Sequence, residues 1–174
     1  MSKTQNSYLP EDILIPFFGL EKQIVGVEIG TLGGSGTVAM LNRMLNLKLY
    51  TIDPWLHIDG KNFEAERDQD YHDVNYRETL KRVAEFGDRC VVIHKTSMDA
   101  FNDVKELVDF VHIDGSHDEV DVRNDIVNWK KKLKERSILG GHDWQIDYIK
   151  KIVREELGEP FTGEDFVWWF EYNK

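Results

Sequence analysis

One stretch constrains the fold of this chain more than any other. Ile24-Val25-Gly26-Val27-Glu28-Ile29 is an apolar, β-branched run that ends beside an acid. Gly30-Thr31-Leu32-Gly33-Gly34-Ser35-Gly36-Thr37 follows as a glycine-dense turn, and Val38-Ala39-Met40-Leu41 then opens a helical pattern. Strand, glycine turn and helix in that order begin the nucleotide-binding half of a doubly wound α/β fold. Glycines let the backbone take positive φ and let a ligand approach the main chain. The N–H groups at a helix start favour an electron-rich or anionic ligand. The pattern is Glu28-x-Gly30-x-x-Gly33-Gly34, however, and not the G-x-G-x-x-G of pyrophosphate sites. A carboxylate at this position would repel a pyrophosphate and suits a cationic ligand.

The same alternation continues along the chain. Leu49 to Asp53 reads as a second strand, after a helix over about Thr37 to Leu45. Asp53 falls about 20 residues beyond the first turn glycine, where such folds hold a ribose; it also suits a turn before Pro54. Cys90 to His94, Val108 to Asp114 and Ser137 to Trp144 read as further strands, and Phe166 to Tyr172 as the last. Tyr76, Leu80 and Val83 have helical spacing, and Gly87 closes that helix. Phe101, Val104 and Val108 predict another buried helix face, capped by Ser97 or Asp99. Val122, Ile126, Trp129 and Leu133 predict the next, with Lys130, Lys131, Lys132 and Lys134 as its solvated end. Asp147, Ile149, Ile152, Val153 and Leu157 give the final helix, which Gly158 and Pro160 stop. The expected fold is α/β and Rossmann-like. It has a mostly parallel, doubly wound sheet of about seven strands, helices on both faces and an antiparallel C-terminal strand.

Residues 1–174 are expected to form one domain, with residues 1–20 as an N-terminal cap packed through Phe17, Phe18 and Leu20. Residues 54–75 are expected to be a lid or acceptor loop, because a long connection of weak periodicity is usually functional or disordered. Its aromatics would suit stacking on a sugar or a planar ring.

The net charge of −10 argues against a nucleic-acid backbone as partner. The lone cysteine, Cys90, precludes an internal disulfide and points to the cytoplasm. No apolar run suggests a signal peptide or a membrane span.

Polar residues gather at the expected carboxyl ends of the strands: Glu28, Asp53, Ser97, Asp114, His117, His142 and Asp143. Ligands of open α/β sheets bind at that edge. If the strands ending at Asp114 and Asp143 are neighbours, the two acids face one crevice and need a cation or a shared proton between them. Mg²⁺, Mn²⁺ or Ca²⁺ suits such oxygen donors, and the histidines shift the preference toward transition metals. A metal there would lower the pKa of a substrate hydroxyl; a histidine would instead take its proton as general base. Helix capping by the acids, with the histidines paired to them, is the alternative.

Four segments together carry a resemblance: Val27-Glu28-Ile29-Gly30 with Gly33-Gly34-Ser35, Tyr50-Thr51-Ile52-Asp53-Pro54-Trp55, Phe110-Val111-His112-Ile113-Asp114-Gly115-Ser116-His117, and Gly140-Gly141-His142-Asp143-Trp144. They resemble class I S-adenosylmethionine-dependent methyltransferases, in the small-molecule O-methyltransferase branch related to macrocin and rhamnosyl O-methyltransferases. The resemblance implies S-adenosyl-L-methionine as cofactor. Glu28 and Gly30 would line its methionine end, with Thr31, Gly34 and Ser35 in the same turn. Asp53 would take the ribose hydroxyls, Ser97 and Met98 would lie by the adenine, and Asp114 would border the cofactor. It implies Asp114 and Asp143 as ligands of Mg²⁺ or another divalent cation, while the clustering of Asp114, His117, His142 and Asp143 at the strand ends makes these four the expected catalytic group. A third acidic or amide ligand often follows the second acid in these enzymes. Trp144 stands at that position, so His117, His142 or water would complete the shell. The acceptor would be a small hydroxylated molecule, with a sugar favoured; as the chain is short, its contacts would come from the Pro54 to Asp73 loop, the N-terminal cap or, in a homo-oligomer, a partner subunit. Two other readings of the residues stay open: a non-catalytic cofactor-binding module, and a nicotinamide-dependent oxidoreductase, whose glycine spacing is absent.

Overall fold

The computed structural model describes residues 11–59 and 66–173. Seven strands form one sheet in the order β3-β2-β1-β4-β5-β7-β6. They are β1 (Ile24–Ile29), β2 (Leu47–Asp53), β3 (Cys90–His94), β4 (Val108–Ile113), β5 (Leu133–Gly141), β6 (Phe161–Thr162) and β7 (Trp168–Asn173). The first five run parallel, and β7 enters antiparallel between β5 and the two-residue β6. This is the Rossmann-like arrangement that the strand–helix alternation predicts. The helices are α1 (Glu11–Phe18), α2 (Ser35–Arg43), α3 (Gln69–Val83), α4 (Ser97–Ala100), α5 (Glu119–Trp129) and α6 (Asp147–Leu157).

Strand side chains alternate between the two faces. Val25, Val27, Ile29, Tyr50, Ile52, Val111, Ile113 and Leu139 pack with Ala100, Ile126, Trp129, Ile152 and Val153 on one side. Ile24, Leu47, Leu49, Phe110 and Ile138 pack with Leu14, Phe17, Met40, Leu41 and Val83 on the other. With apolar cover on both faces, the strands read as nearly continuous apolar runs.

Several expectations need correcting. α2 starts and ends two residues early, because the left-handed Gly34 (φ 77°) launches it and Met44 breaks it. α4 is a single turn: Thr96 caps it by accepting from the Asp99 N–H, and the chain then dips to bury Val104 before β4 begins at Val108. Three apolar residues at helical spacing thus mark a short turn, a loop and a strand. Leu133 opens β5, after the 3-10 turn Lys130–Lys132 that ends α5. The lysine run is not wholly solvated: Lys134 Nζ lies 2.7 Å from buried Asp109, and Lys132 Nζ donates to the Val104 carbonyl. Leu20 is exposed, while Leu14 does the packing in its place. β7 begins two residues later than expected and is preceded by β6, too short to read from sequence.

Strand interiors also carry more polarity than the sequence suggests. Asp109 is fully buried within β4, where its carboxylate accepts the Val25 N–H at 2.8 Å and faces both Lys22 and Lys134. It ties β1 to β4 at the end of the sheet away from the glycine turn.

Candidate active site

The strand ends β1, β2, β4 and β5 open onto a cavity of about 770 Å³, a volume suited to a cofactor-sized ligand. Glu28, Gly30, Thr31, Ser35, Asp53, Ser97, Met98, Asp114, His117, His142 and Asp143 all line it. Gly34 does not: it lies behind the turn, where an added Cβ would touch Thr79. Gly36 takes a place on the wall instead.

The glycine turn is held by Asp53. One carboxylate oxygen accepts the N–H groups of Thr31 at 3.0 Å and Leu32 at 2.8 Å, and the other accepts the Trp55 N–H at 2.7 Å. A carboxylate offers about four acceptor positions, so roughly one remains for a ligand hydroxyl. The turn and ribose readings of this residue are therefore compatible. Burial raises the Asp53 carboxyl above its usual range, opposed by those three N–H donors and by His72.

Trp55 does not present a stacking surface. It is buried, and its indole N–H donates 2.7 Å to the Leu32 carbonyl, locking the segment after β2 onto the glycine turn. Pro54, Leu56 and Ile58 contribute the cavity wall there. The rest of the expected lid divides: residues 60–65 lie outside the described residues, and from Gln69 the chain is α3, capped by the Asp68 side chain. On α3 the buried positions are His72, Thr79 and Val83, with Leu80 exposed. His72 lines the cavity, and its Nε2 is shut away with no hydrogen-bond partner.

Glu28 is buried and accepts hydrogen bonds from the hydroxyls of Thr37 and Thr51. Burial pushes its carboxyl up to about 7, against those two donors, with Asp114 and Asp53 adding to the rise. Below the ordinary value of 4.5 both folded and unfolded chains hold this proton. Between there and 7 only the folded chain does, so stability falls as pH rises through that window. The shift corresponds to about 3 kcal/mol. Glu28→Gln removes the titration. Its stability relative to the parent is expected to rise by up to that amount between pH 5 and pH 8, as measured by urea melts at both values. An unchanged difference at the two pH values would show that Glu28 ionises normally.

At the other end of the cavity stand the acids and histidines. Ile113 pairs with Gly141 in the β4–β5 register, so the residues that follow are Asp114 and His142. His142 Nδ1 lies 3.4 Å from Asp114 and 3.3 Å from Asp143. His117 Nε2 lies 2.5 Å from the second Asp143 oxygen. Asp114, His142 and Asp143 can each turn a ligating atom to within 4.8 Å of the others. The sequence pairs the two acids and leaves Trp144 where a third ligand should stand. The register puts His142 opposite Asp114, so the histidine named as one way to complete the shell stands between the two acids. Trp144 packs toward the core and stacks with Arg154.

Burial alone would lower the His142 pKa, but the carboxylates of Asp114 and Asp143 outweigh it and carry it up to about 10. Burial likewise acts to raise Asp143, and His117 and His142 overcome it, holding that carboxyl well below the usual range. Asp143 also sits in the left-handed region (φ 63°). That conformation is uncommon for a residue with a side chain and turns the carboxylate back between the two histidines.

Ser97 is not a helix cap. Its hydroxyl donates to Asp125 and accepts the Trp129 indole N–H at 2.7 Å, joining α4 to α5. Asp125 is a cavity residue that the sequence reading missed. The signal was present: Val122, Asp125, Ile126 and Trp129 form one buried stripe on α5, and Asp125 is its one charged member.

Comparison with known proteins fits this architecture. Residues 27–144 match the family model described as a methyltransferase domain. The chain belongs to that family. Methyltransferase-domain proteins are expected to use S-adenosylmethionine, and the cavity suits it in size and in its acidic lining. A curated relative, the uncharacterized protein y4gI of Sinorhizobium fredii, is 27% identical over 138 residues. That match spans 72% of this chain but only 14% of the relative's length. Among solved structures, an rRNA methylase from Streptococcus thermophilus superposes with a TM-score of 0.66 at 14% identity, covering 94% of each chain. A Staphylococcus aureus protein proposed to be a caffeoyl-CoA O-methyltransferase gives 0.65 at 12% identity, over 94% of this chain and 82% of that one. At such identities the likeness establishes the fold and leaves the acceptor atom open. Among the described residues, no helix is long and apolar enough to cross a membrane.

Proposed function

We propose that this protein moves a methyl group from S-adenosylmethionine to a hydroxyl oxygen of a small molecule, with a sugar as the favoured acceptor class. The observation that carries the reading is the cluster of Asp114, His117, His142 and Asp143 at the ends of β4 and β5, on the wall of the cavity that Glu28 and Asp53 also line. In this reading Glu28, Gly30, Thr31 and Ser35 hold the methionine end of the cofactor. Asp53 holds the ribose, and Ser97 and Met98 border the base. The bound cofactor supplies an electrophilic methyl group on a sulfonium, whose positive charge is complementary to an acid-lined site.

The chain's own task is alignment and proton removal. His117, backed by the Asp143 carboxylate, takes the proton as the acceptor hydroxyl attacks, and Asp143 stabilises the resulting imidazolium. Asp114, His142 and Asp143 have the donor types and spacing for Mg²⁺ or Mn²⁺, a cation that would lower the pKa of the acceptor hydroxyl. Without a cation, protonated His142 supplies the positive charge that the two carboxylates need. The net charge of −10 favours a small acceptor over an RNA backbone.

The test is calorimetric titration with S-adenosylmethionine and S-adenosylhomocysteine, with and without Mg²⁺, followed by labelled methyl transfer to a panel of hydroxylated acceptors. Micromolar binding, then label retained on an ether oxygen, is the expected result. Absence of binding by either molecule removes the reading. Tighter binding with Mg²⁺ assigns the cation to the three donors.

A further inference from the structure

We propose that Asp125 reads the base of the cofactor, accepting a hydrogen bond from the exocyclic amino group of adenine. The proposal rests on the methyltransferase reading above and names a specificity-determining residue within it.

Asp125 is only 4% exposed, yet it lines the cavity. One carboxylate oxygen takes the Ser97 hydroxyl, which is itself fixed by the Trp129 indole. The other oxygen has no hydrogen-bond partner and is not sealed within the protein. It is an acceptor held at the edge of the cavity, open to what enters it. Burial pushes the carboxyl up to about 7, with the Ser97 hydroxyl opposing the rise and Asp121 adding to it.

The layout of the cavity indicates what meets this oxygen. The reacting end must lie by Asp114, His117, His142 and Asp143, and an acid at the end of the second strand is where doubly wound folds hold the ribose. Beyond Asp53, Thr96, Ser97, Met98, Asn124 and Asp125 make one side of the remaining wall, facing Pro54, Leu56 and Ile58 among others. A planar base carried on that ribose would have Met98 and the α5 edge as its surroundings. Adenine presents an amino donor on its edge, and a carboxylate whose neighbouring oxygen is locked by Ser97 is a directional acceptor for it. The lock matters, because it stops the carboxylate from rotating to satisfy itself elsewhere.

The experiment compares two ligands, S-adenosylhomocysteine and its 6-deamino analogue carrying purine in place of adenine. Each is titrated at pH 8 into the full chain and into Asp125→Asn and Asp125→Ala, with the fold of each variant checked by circular dichroism. The parent is expected to bind the deamino analogue about ten- to a hundredfold more weakly. In both variants that ratio is expected to fall to about threefold or less. In Asp125→Asn the amide oxygen keeps the Ser97 contact and turns an N–H₂ donor toward the amino group. A parent ratio near one overturns the proposal, whatever the variants do. So does a ratio that survives substitution, since a residue that merely braces Ser97 and Trp129 weakens both ligands alike. If the parent binds neither ligand, the cofactor reading itself fails, a result distinct from a parent that binds both equally.

Discussion

Gly30→Ala is expected to unfold or nearly unfold the protein, with a loss above about 4 kcal/mol. Two effects combine at this position. Gly30 has φ 89°, where an L side chain is strained. A Cβ built there would also lie 2.0 Å from the Asp114 carbonyl oxygen and 2.6 Å from the Gly115 Cα. Those are backbone atoms at the end of β4, fixed by the Asp114 N–H to the Ile29 carbonyl at 2.8 Å, so nothing flexible can yield. The strand ends would have to part at the cavity rim. Gly158 provides the control, with φ 96° and open space where its Cβ would go. Gly158→Ala carries dihedral strain alone, in a backbone region (φ 96°, ψ −155°) that is nearly exclusive to glycine, and should cost about 1–3 kcal/mol. Urea denaturation of both variants separates the two contributions. Equal losses would mean that the β1–β4 junction relaxes freely around an added methyl group.

The close approach at Gly30 is invisible in the sequence as a contact, although the glycine itself is conspicuous. Local chemistry was legible. A β-branched run, a glycine turn and an apolar stripe each declare their element, and the sequence places all five parallel strands to within a few residues. What sequence could not supply was pairing across distance. Asp109 looks like a polar interruption of β4 until the Val25 N–H and Lys134 are seen around it. Asp125 looks like a solvated helix residue until Ser97, 28 positions earlier, is seen to donate to it. The misread helix after Ser97 has the same origin. Val104 and Val108 keep helical spacing by coincidence: one lies in the connection after α4 and the other opens β4, and both join the same core cluster.

The acid–histidine cluster shows how much one register step decides. Taken as a string, Asp114 and Asp143 are two strand-end acids, and the residue after the second is a tryptophan that cannot ligate. In the sheet, Ile113 lies beside Gly141, so His142 and not Asp143 is the residue across from Asp114. Asp143 then folds back through a left-handed backbone to face His117 and His142 together. Four groups from two distant segments thus meet on one wall of the cavity.

That arrangement makes Asp143 the most consequential side chain for the proposed chemistry. Asp143→Asn is the informative substitution, because asparagine tolerates the left-handed region better than alanine and retains the size of the carboxyl. The amide cannot stabilise an imidazolium at His117, nor serve as an anionic ligand beside Asp114. Methyl transfer is therefore expected to fall by about a thousandfold, general base assistance alone being worth about a hundred- to ten-thousandfold. Affinity for S-adenosylhomocysteine should stay within about threefold, because the ribose and base contacts assigned to Asp53, Ser97 and Asp125 do not involve this residue. The pair of measurements distinguishes a proton-handling role from a structural one. Loss of binding and transfer together would make Asp143 a brace for the strand ends, and undiminished transfer would move the acceptor chemistry away from β4 and β5 altogether.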